Sequence, residues 1–188
     1  MSEPAAPPEL ADVVEADPLV LPVLPLKETV VFPEAVTPLA VGQERSIALI
    51  DDVVAGDRTL ALVTVKNADA DPPGFEDLHE IGTIAIVHKL IKVPDGTLRI
   101  LVQGTERVRL VEPADNDPYL VARFEAMPDL VVDTPELEAL TREVQALFGR
   151  IIGLAAYLPE ELQIAAANVD DPSALCHLVA STLRLKTE

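Results

Sequence analysis

Ser46, Ser173 and Ser181, the histidines His79, His88 and His177, and the lone Cys176 are the side chains that could do covalent or metal chemistry. A nucleophile needs a base beside it to be activated. Each of these serines falls in a helical pattern, and none sits in a G-x-S-x-G setting. The histidines are scattered. His88 lies within an apolar strand-like run, which suits a hydrogen-bonded structural histidine better than a catalytic one. Cys176 and His177 are helix neighbours, so they point about 100° apart and make a poor metal pair. Neither H-E-x-x-H nor C-x-x-C occurs, and none of the glycines opens the G-x-x-x-x-G-K-[ST] cradle that ATP phosphates require. Three adjacent carboxylate pairs remain. Asp51-Asp52 reads as a solvated helix face, while Glu160-Glu161 and Asp170-Asp171 sit at helix starts, where the dipole favours negative charge. The residue types are present, but no arrangement for a reaction is. No catalytic residue, metal ligand or cofactor is expected in this chain.

Charge narrows the partners. The chain of 188 residues carries 14 Lys+Arg against 32 Asp+Glu, a formal charge of −18. That excess repels phosphate backbones and anionic lipid, so nucleic acid and membrane are not expected partners. Arg99, Arg107 and Arg109 could form a local basic patch, but they read as solvated strand-face charges. A single cysteine excludes an internal disulfide and suits a reducing cytoplasm. No apolar run approaches the ~18 residues of a membrane helix, and no basic-then-apolar secretory leader opens the chain.

The elements that must position any site begin at residues 21–47, LPVLPLKETVVFPEAVTPLAVGQERSI. Pro22, Pro25, Pro33 and Pro38 prevent one long helix here. Residues 23–26 read as a strand, and Val30, Val31 and Phe32 as an apolar knuckle ended by Pro33. Residues 43–55 show an apolar helical period, with Gly56 where a C-cap glycine belongs. Residues 59–65 read as a buried strand and residues 66–82 as a loop whose Phe75 and Leu78 tuck back. Residues 83–93 and 97–110 read as two strands joined by the hairpin signal Asp95-Gly96. Leu98, Ile100 and Val102 share a face of the second strand, which Gly104 is expected to bend or bulge. A turn at 115–118 precedes a strand at 119–125 with Leu120, Ala122 and Phe124 inward.

The pattern then changes. Thr134-Pro135 is a helix start, and apolar residues recur at threes and fours from Leu137 to Leu158, with Pro159 ending the helix. A short helix reaches about Ala167. Asp171-Pro172 repeats the start signal, and Leu175, Leu178, Val179, Thr182 and Leu183 line one face. The expected division is a disordered acidic arm at 1–18, a β-rich body at 19–127 and a helical part at 128–188.

The opening segment, together with EIGTIAIVHKLIKVPDGTLRILVQGTERVRL and VDDPSALCHLVASTLRLK, resembles the N-terminal domain of the ATP-dependent Lon protease. That resemblance implies an α+β fold: a PUA-like β-barrel domain followed by a small α-helical bundle. It also implies the non-catalytic front of an ATP-dependent serine endopeptidase of the AAA+ class, acting in protein quality control. ATP and Mg are then expected only in the full-length protein, whose chain would continue past Glu188. The implied partners are unfolded or misfolded protein substrates and further copies within a ring, a homohexamer at full length.

What remains is a binding surface. The candidates are Val31, Phe32, Pro33, Val36 and Leu39, with Ile91 and Val93 beside the hairpin as possible neighbours. Pattern alone places Val31, Val36 and Leu39 in the core. Phe32-Pro33 is expected to be exposed, because proline after an aromatic interrupts strand pairing. The competing readings are a free-standing adaptor or regulatory protein on the same fold and a PUA-like RNA-binding module; an independent enzyme is the most remote.

Overall fold

The computed structural model describes residues 19–183. The acidic arm expected at 1–18 lies outside the described residues. The chain runs β1 (Leu19–Leu26), β2 (Val36–Val41), α1 (Glu44–Ala55), β3 (Thr59–Thr64), a 3-10 turn (Phe75–Asp77), β4 (Ile81–Lys92), β5 (Leu98–Asp115), β6 (Val121–Ala126), α2 (Pro135–Leu154), α3 (Glu161–Ala167) and α4 (Pro172–Thr182). The architecture is α+β, as expected.

The strands form one mixed sheet in the order β2-β5-β4-β3-β1-β6, and β5 also pairs with β6. That last pairing closes β5, β4, β3, β1 and β6 into a ring, leaving β2 as an added edge on β5. Only β1 and β3 run parallel, with Leu24 opposite Leu62. Closure explains why β3, TLALVT, has an unbroken apolar run. Its Leu60 and Leu62 enter the cluster under α1, whereas Ala61 and Val63 enter a second cluster with Leu120, Ala122 and Phe124. A strand covered on both faces has no polar side to alternate with. Helix α1 closes one end of the body with Ser46, Leu49, Ile50 and Val53, spaced at three and four.

Local signals hold where they were read. Gly96 adopts φ +85° in the β4–β5 turn, and Asp95 accepts hydrogen bonds from the Thr97 amide and hydroxyl at 2.9 and 2.7 Å. Leu78 is buried and Phe75 packs on the second cluster. The β4–β5 register slips where Ile84 faces Glu106 but Ala85 faces Gly104, which is the bulge expected near Gly104. Strand β5 runs five residues past the expected end, because residues 108–115 pair with β6 to close the ring.

In the helical part, the Thr134 hydroxyl accepts from the Leu137 amide at 3.1 Å. The Asp171 carboxylate accepts from the amides of Ser173 and Ala174 at 3.2 and 3.3 Å. Helix α2 stops at Leu154, four residues before the expected end. Pro159 disfavours helical geometry at Leu158, and that leucine instead turns back into a core with Phe148, Ile152, Ala166 and Leu175. Gln145 on α2 donates to the carbonyls of Ala166 and Val169, both at 3.1 Å, pinning the end of α3. Among the described residues, no helix is long and apolar enough to cross a membrane.

Candidate functional site

A cleft of about 580 Å3 lies where the closed sheet meets the helices. Its sheet-side wall is the loop that links β1 to β2. Three strands hold that loop in place. The Thr64 hydroxyl of β3 donates to the Thr29 carbonyl and the Thr83 hydroxyl of β4 donates to the Val31 carbonyl, each at 2.7 Å. On β5, the Gly104 carbonyl accepts from the Glu34 amide at 2.9 Å, and the Gly104 amide donates to the Ala35 carbonyl at 3.0 Å. The approach is so close that a Cβ on Gly104 would lie 2.2 Å from the Phe32 carbonyl oxygen. Only glycine admits this packing. So pinned, the loop turns Val31 inward, keeps Val30 outward and leaves Phe32 half-exposed over the cleft.

The facing wall comes from the linker residues Leu130 and Val131, from Leu137 of α2 and from His177 of α4. A polar clasp crosses the gap. Arg107 of β5 pairs with Asp129 Oδ1 at 2.8 Å, and Asp129 Oδ2 lies 2.7 Å from His177 Nε2. The His177 ring also stands 6.5 Å from the Phe32 ring, centroid to centroid. Arg107 is therefore not the solvated strand-face charge that the sequence suggested. Its guanidinium is turned into the joint, and its Nε is buried without a hydrogen bond.

An Asp–His pair is half of a hydrolytic constellation, but the other half is missing. Ser173 and Cys176 share the cleft, yet neither is hydrogen-bonded to His177 among the described residues. With Nε2 facing Asp129, Nδ1 is the nitrogen that would have to take a nucleophile's proton, and no serine or cysteine is hydrogen-bonded to it among the described residues. No group of three or more His, Cys, Asp or Glu is placed to hold a metal ion among the described residues. His88, on β4, is exposed and meets Gln103 at 2.8 Å, a partnered histidine as expected. Asp51 and Asp52 are not simply solvated: the first pairs with Lys92 at 3.1 Å and the second accepts from the Tyr119 hydroxyl at 3.0 Å.

The seven predicted surface residues separate into two groups. Val31, Phe32 and Pro33 all line the cleft. The expected exposure of Phe32-Pro33 is corrected: Pro33 is buried and Phe32 half-buried, because the Gly104 contacts draw the loop onto β5. Val31 is core at 3% exposure, and Leu39 packs against the core under α1. Val36, expected inside, is 56% exposed. It is three residues from Leu39 in one strand, so the two must face opposite sides. Ile91, 62% exposed, joins Val36 on the outer face of the β2-β5-β4 region, away from the cleft. Val93 is half-exposed at the hairpin end. Sequence reading missed the far wall, although Leu130-Val131-Val132 is an uncharged run directly after Asp129 and stays largely exposed.

Residues 20–188 match the family model described as the ATP-dependent protease La (LON) substrate-binding domain. The chain belongs to that family. It is 38% identical over 168 residues to the Lon protease of Dictyoglomus thermophilum, covering 89% of this chain and 21% of that protein. It is 41% identical over 167 residues to Lon protease 1 of Herpetosiphon aurantiacus, covering 87% of this chain and 20% of that one. The chain thus spans about a fifth of these relatives' length. In fold it resembles the N-terminal domain of Mycobacterium avium complex Lon protease, with TM-score 0.70, 23% identity, 89% of this chain and 85% of that one covered. It also resembles a Lon N-terminal domain protein from Xanthomonas campestris, with TM-score 0.54, 20% identity, 87% and 98% covered. The matched family is described as a substrate-binding domain, and the cleft in this chain has a mostly apolar lining.

Proposed function

We propose that this domain captures exposed apolar side chains of unfolded or degron-bearing protein segments in the cleft between the closed sheet and the helices. The observation that carries the reading is the cleft itself. Its volume falls in the range of binding sites, about 300–1,000 Å3, and Val30, Phe32, Leu130, Val131 and Leu137 give it apolar walls on both sides.

The energetics suit triage. Each client side chain buried there gains roughly 1.5–3 kcal/mol. Ordering a flexible segment and removing its free translation costs about 4–15 kcal/mol. Two or three anchors therefore hold a client weakly and release it quickly, and a folded protein, whose apolar residues are hidden, is passed over. Several copies on one ring raise avidity without any new contact. In this reading the β-rich body and the helical part are the two jaws of one cytoplasmic receptor. The ATPase, its ATP and Mg, and the serine protease chemistry reside elsewhere in a longer, ring-forming protein.

The test is Phe32→Ser against Ile91→Ser, with binding of fluorescein-labelled, carboxymethylated α-lactalbumin read by anisotropy and folding by circular dichroism. Losing the Phe32 ring weakens binding by about tenfold or more, since 1.4 kcal/mol is a factor of ten. Ile91→Ser, on the outer sheet face, leaves it unchanged. A folded Phe32→Ser protein with unaltered affinity overturns the assignment of the cleft, and a loss confined to Ile91→Ser moves the site to the outer face.

A further inference from the structure

Helix α2 carries a second apolar line that its own bundle uses only in part: Val144 packs on the bundle core and Leu137 lines the cleft, while the rest is open. The bundle takes Phe148 and Ile152. Beside them Leu137, Leu140, Val144, Leu147, Ile151 and Leu154 repeat at alternating steps of three and four, the spacing of a coiled-coil seam. Leu140, Leu147, Ile151 and Leu154 are 58, 45, 40 and 87% exposed. One flank of the seam lies against the bundle through Phe148. The other flank is open and carries Glu143 and Arg150, one heptad apart. Neither has an ion-pair partner among the described residues.

We infer that this face of α2 pairs antiparallel with α2 of a second copy of the chain. The charges select both the occupant and the direction. In an antiparallel pair, open flank faces open flank. The layers then set Leu137 against the second copy's Leu154, Leu140 against its Ile151 and Val144 against its Leu147. In that register Glu143 falls opposite the second copy's Arg150, and by two-fold symmetry the reverse pair forms as well. A parallel pair would set Glu143 against Phe148 and Arg150 against Ala155, neither of which can answer a charge, and both of which face the bundle. A chain of charge −18 repels its own copies. These reciprocal pairs place attraction beside the apolar surface that α2 leaves open. Leu137 is shared with the cleft, but the inference rests on the exposed Leu140, Leu147, Ile151 and Leu154 and does not require the cleft to bind clients.

The experiment is a charge exchange on the full 188-residue chain, read by sedimentation equilibrium across micromolar concentrations. Leu147→Glu, which enters a two-fold interface twice, weakens self-association by at least about 100-fold. Glu143→Arg alone and Arg150→Glu alone each set like charges opposite one another and weaken it by about tenfold or more. Mixing these two variants restores association between them, because one then has two positive and the other two negative flank positions. The double variant Glu143→Arg/Arg150→Glu restores self-association within one chain. A wild type that stays monomeric at hundreds of micromolar overturns the inference. So does association that Leu147→Glu leaves intact, or single-charge variants whose mixture is no tighter than either alone.

Discussion

Replacing Gly104 by alanine tests the wall of the cleft at its tightest point. The new methyl would lie 2.2 Å from the Phe32 carbonyl oxygen, 3.0 Å from its carbon and 3.1 Å from the Thr83 methyl. A carbon and a carbonyl oxygen rest at about 3.3–3.6 Å, so the loop must retreat by roughly 1 Å. The obstructing atoms are backbone and cannot rotate away. Retreat breaks or stretches the Glu34–Gly104 and Gly104–Ala35 hydrogen bonds, at about 0.5–1.5 kcal/mol each. It also starts to withdraw Val31 from the core, and a fully withdrawn valine forfeits about 1.5–3 kcal/mol. Alanine returns about 0.4–1 kcal/mol by restricting the unfolded chain. The net destabilisation is about 2–4 kcal/mol. Urea unfolding followed by far-ultraviolet circular dichroism should show the midpoint falling by about 1–2 M at an ordinary slope. Amide exchange should show Glu34 and Gly104 losing protection while Phe148 and Ile152 in the helical core keep theirs. Client affinity should fall with stability, since Phe32 moves with the loop. A Gly104→Ala protein with the wild-type midpoint and intact protection at Glu34 would refute the claim that this contact sets the cleft.

Two further substitutions separate local effects from that one. Gly153, near the end of α2, has open space where a Cβ would go. Gly153→Ala should therefore stabilise the helix by up to about 1 kcal/mol and raise the melting temperature by about 2–4 °C, read by scanning calorimetry. Tyr119 has its hydroxyl pKa held above the ordinary value, first by burial and then by its hydrogen bond to Asp52. The folded value exceeds the unfolded one, so this contribution is complete below about pH 10 and is lost as pH rises through the folded value. Tyr119→Phe should cost about 0.5–1.5 kcal/mol at neutral pH. It should also flatten the alkaline limb of stability against pH, measured by urea midpoints from pH 8 to 11.

What could be read in advance was what is local. Thr134-Pro135, Asp171-Pro172 and Asp95-Gly96 act on amides within three residues, so each signal and its structural result occupy one turn. The strands of the body were legible in place but not in partner. Nothing in residues 111–115 announces that β5 continues there, because the reason lies in β6 and the closing of the ring. The cleft was half legible for the same cause. Val31, Phe32 and Pro33 stand out as apolar residues in an acidic chain. Arg107, Asp129 and His177, by contrast, converge from positions 22 and 48 residues apart, and nothing local to any one of them points to the others. Orientation within β2 was partly readable, since Val36 and Leu39 cannot share a face of one strand. VTPLAV lacks the polar alternation that would have said which one faces inward.

The prolines of the opening segment, which first appear only as helix breakers, account for how this wall is built. Strand β1 lies inside the sheet yet contains Pro22 and Pro25, each missing the amide that a central strand should donate. The ladder resolves this. Residues 19–22 pair with β6, and residues 23–26 pair with β3, so each half is bonded along one side. The handover falls between Pro22 and Val23, whose amide donates to the Leu120 carbonyl at 2.8 Å. Pro38 sits in β2, which pairs with β5 alone and has an open edge. Prolines at Pro22, Pro25 and Pro38 are thus compatible with the sheet because half of each strand's amide positions go unpaired. Pro33 belongs to neither strand. It is buried where the chain turns between them, one residue past Phe32, and its fixed φ limits the turn's freedom before any contact forms. The segment therefore enters the sheet as a strand bonded on one side at a time, leaves it for a loop clamped by Thr64, Thr83 and Gly104, and returns as an edge. That path holds Phe32 against the helical part, its ring 6.5 Å from that of His177 on the wall where the proposed client side chains would bind.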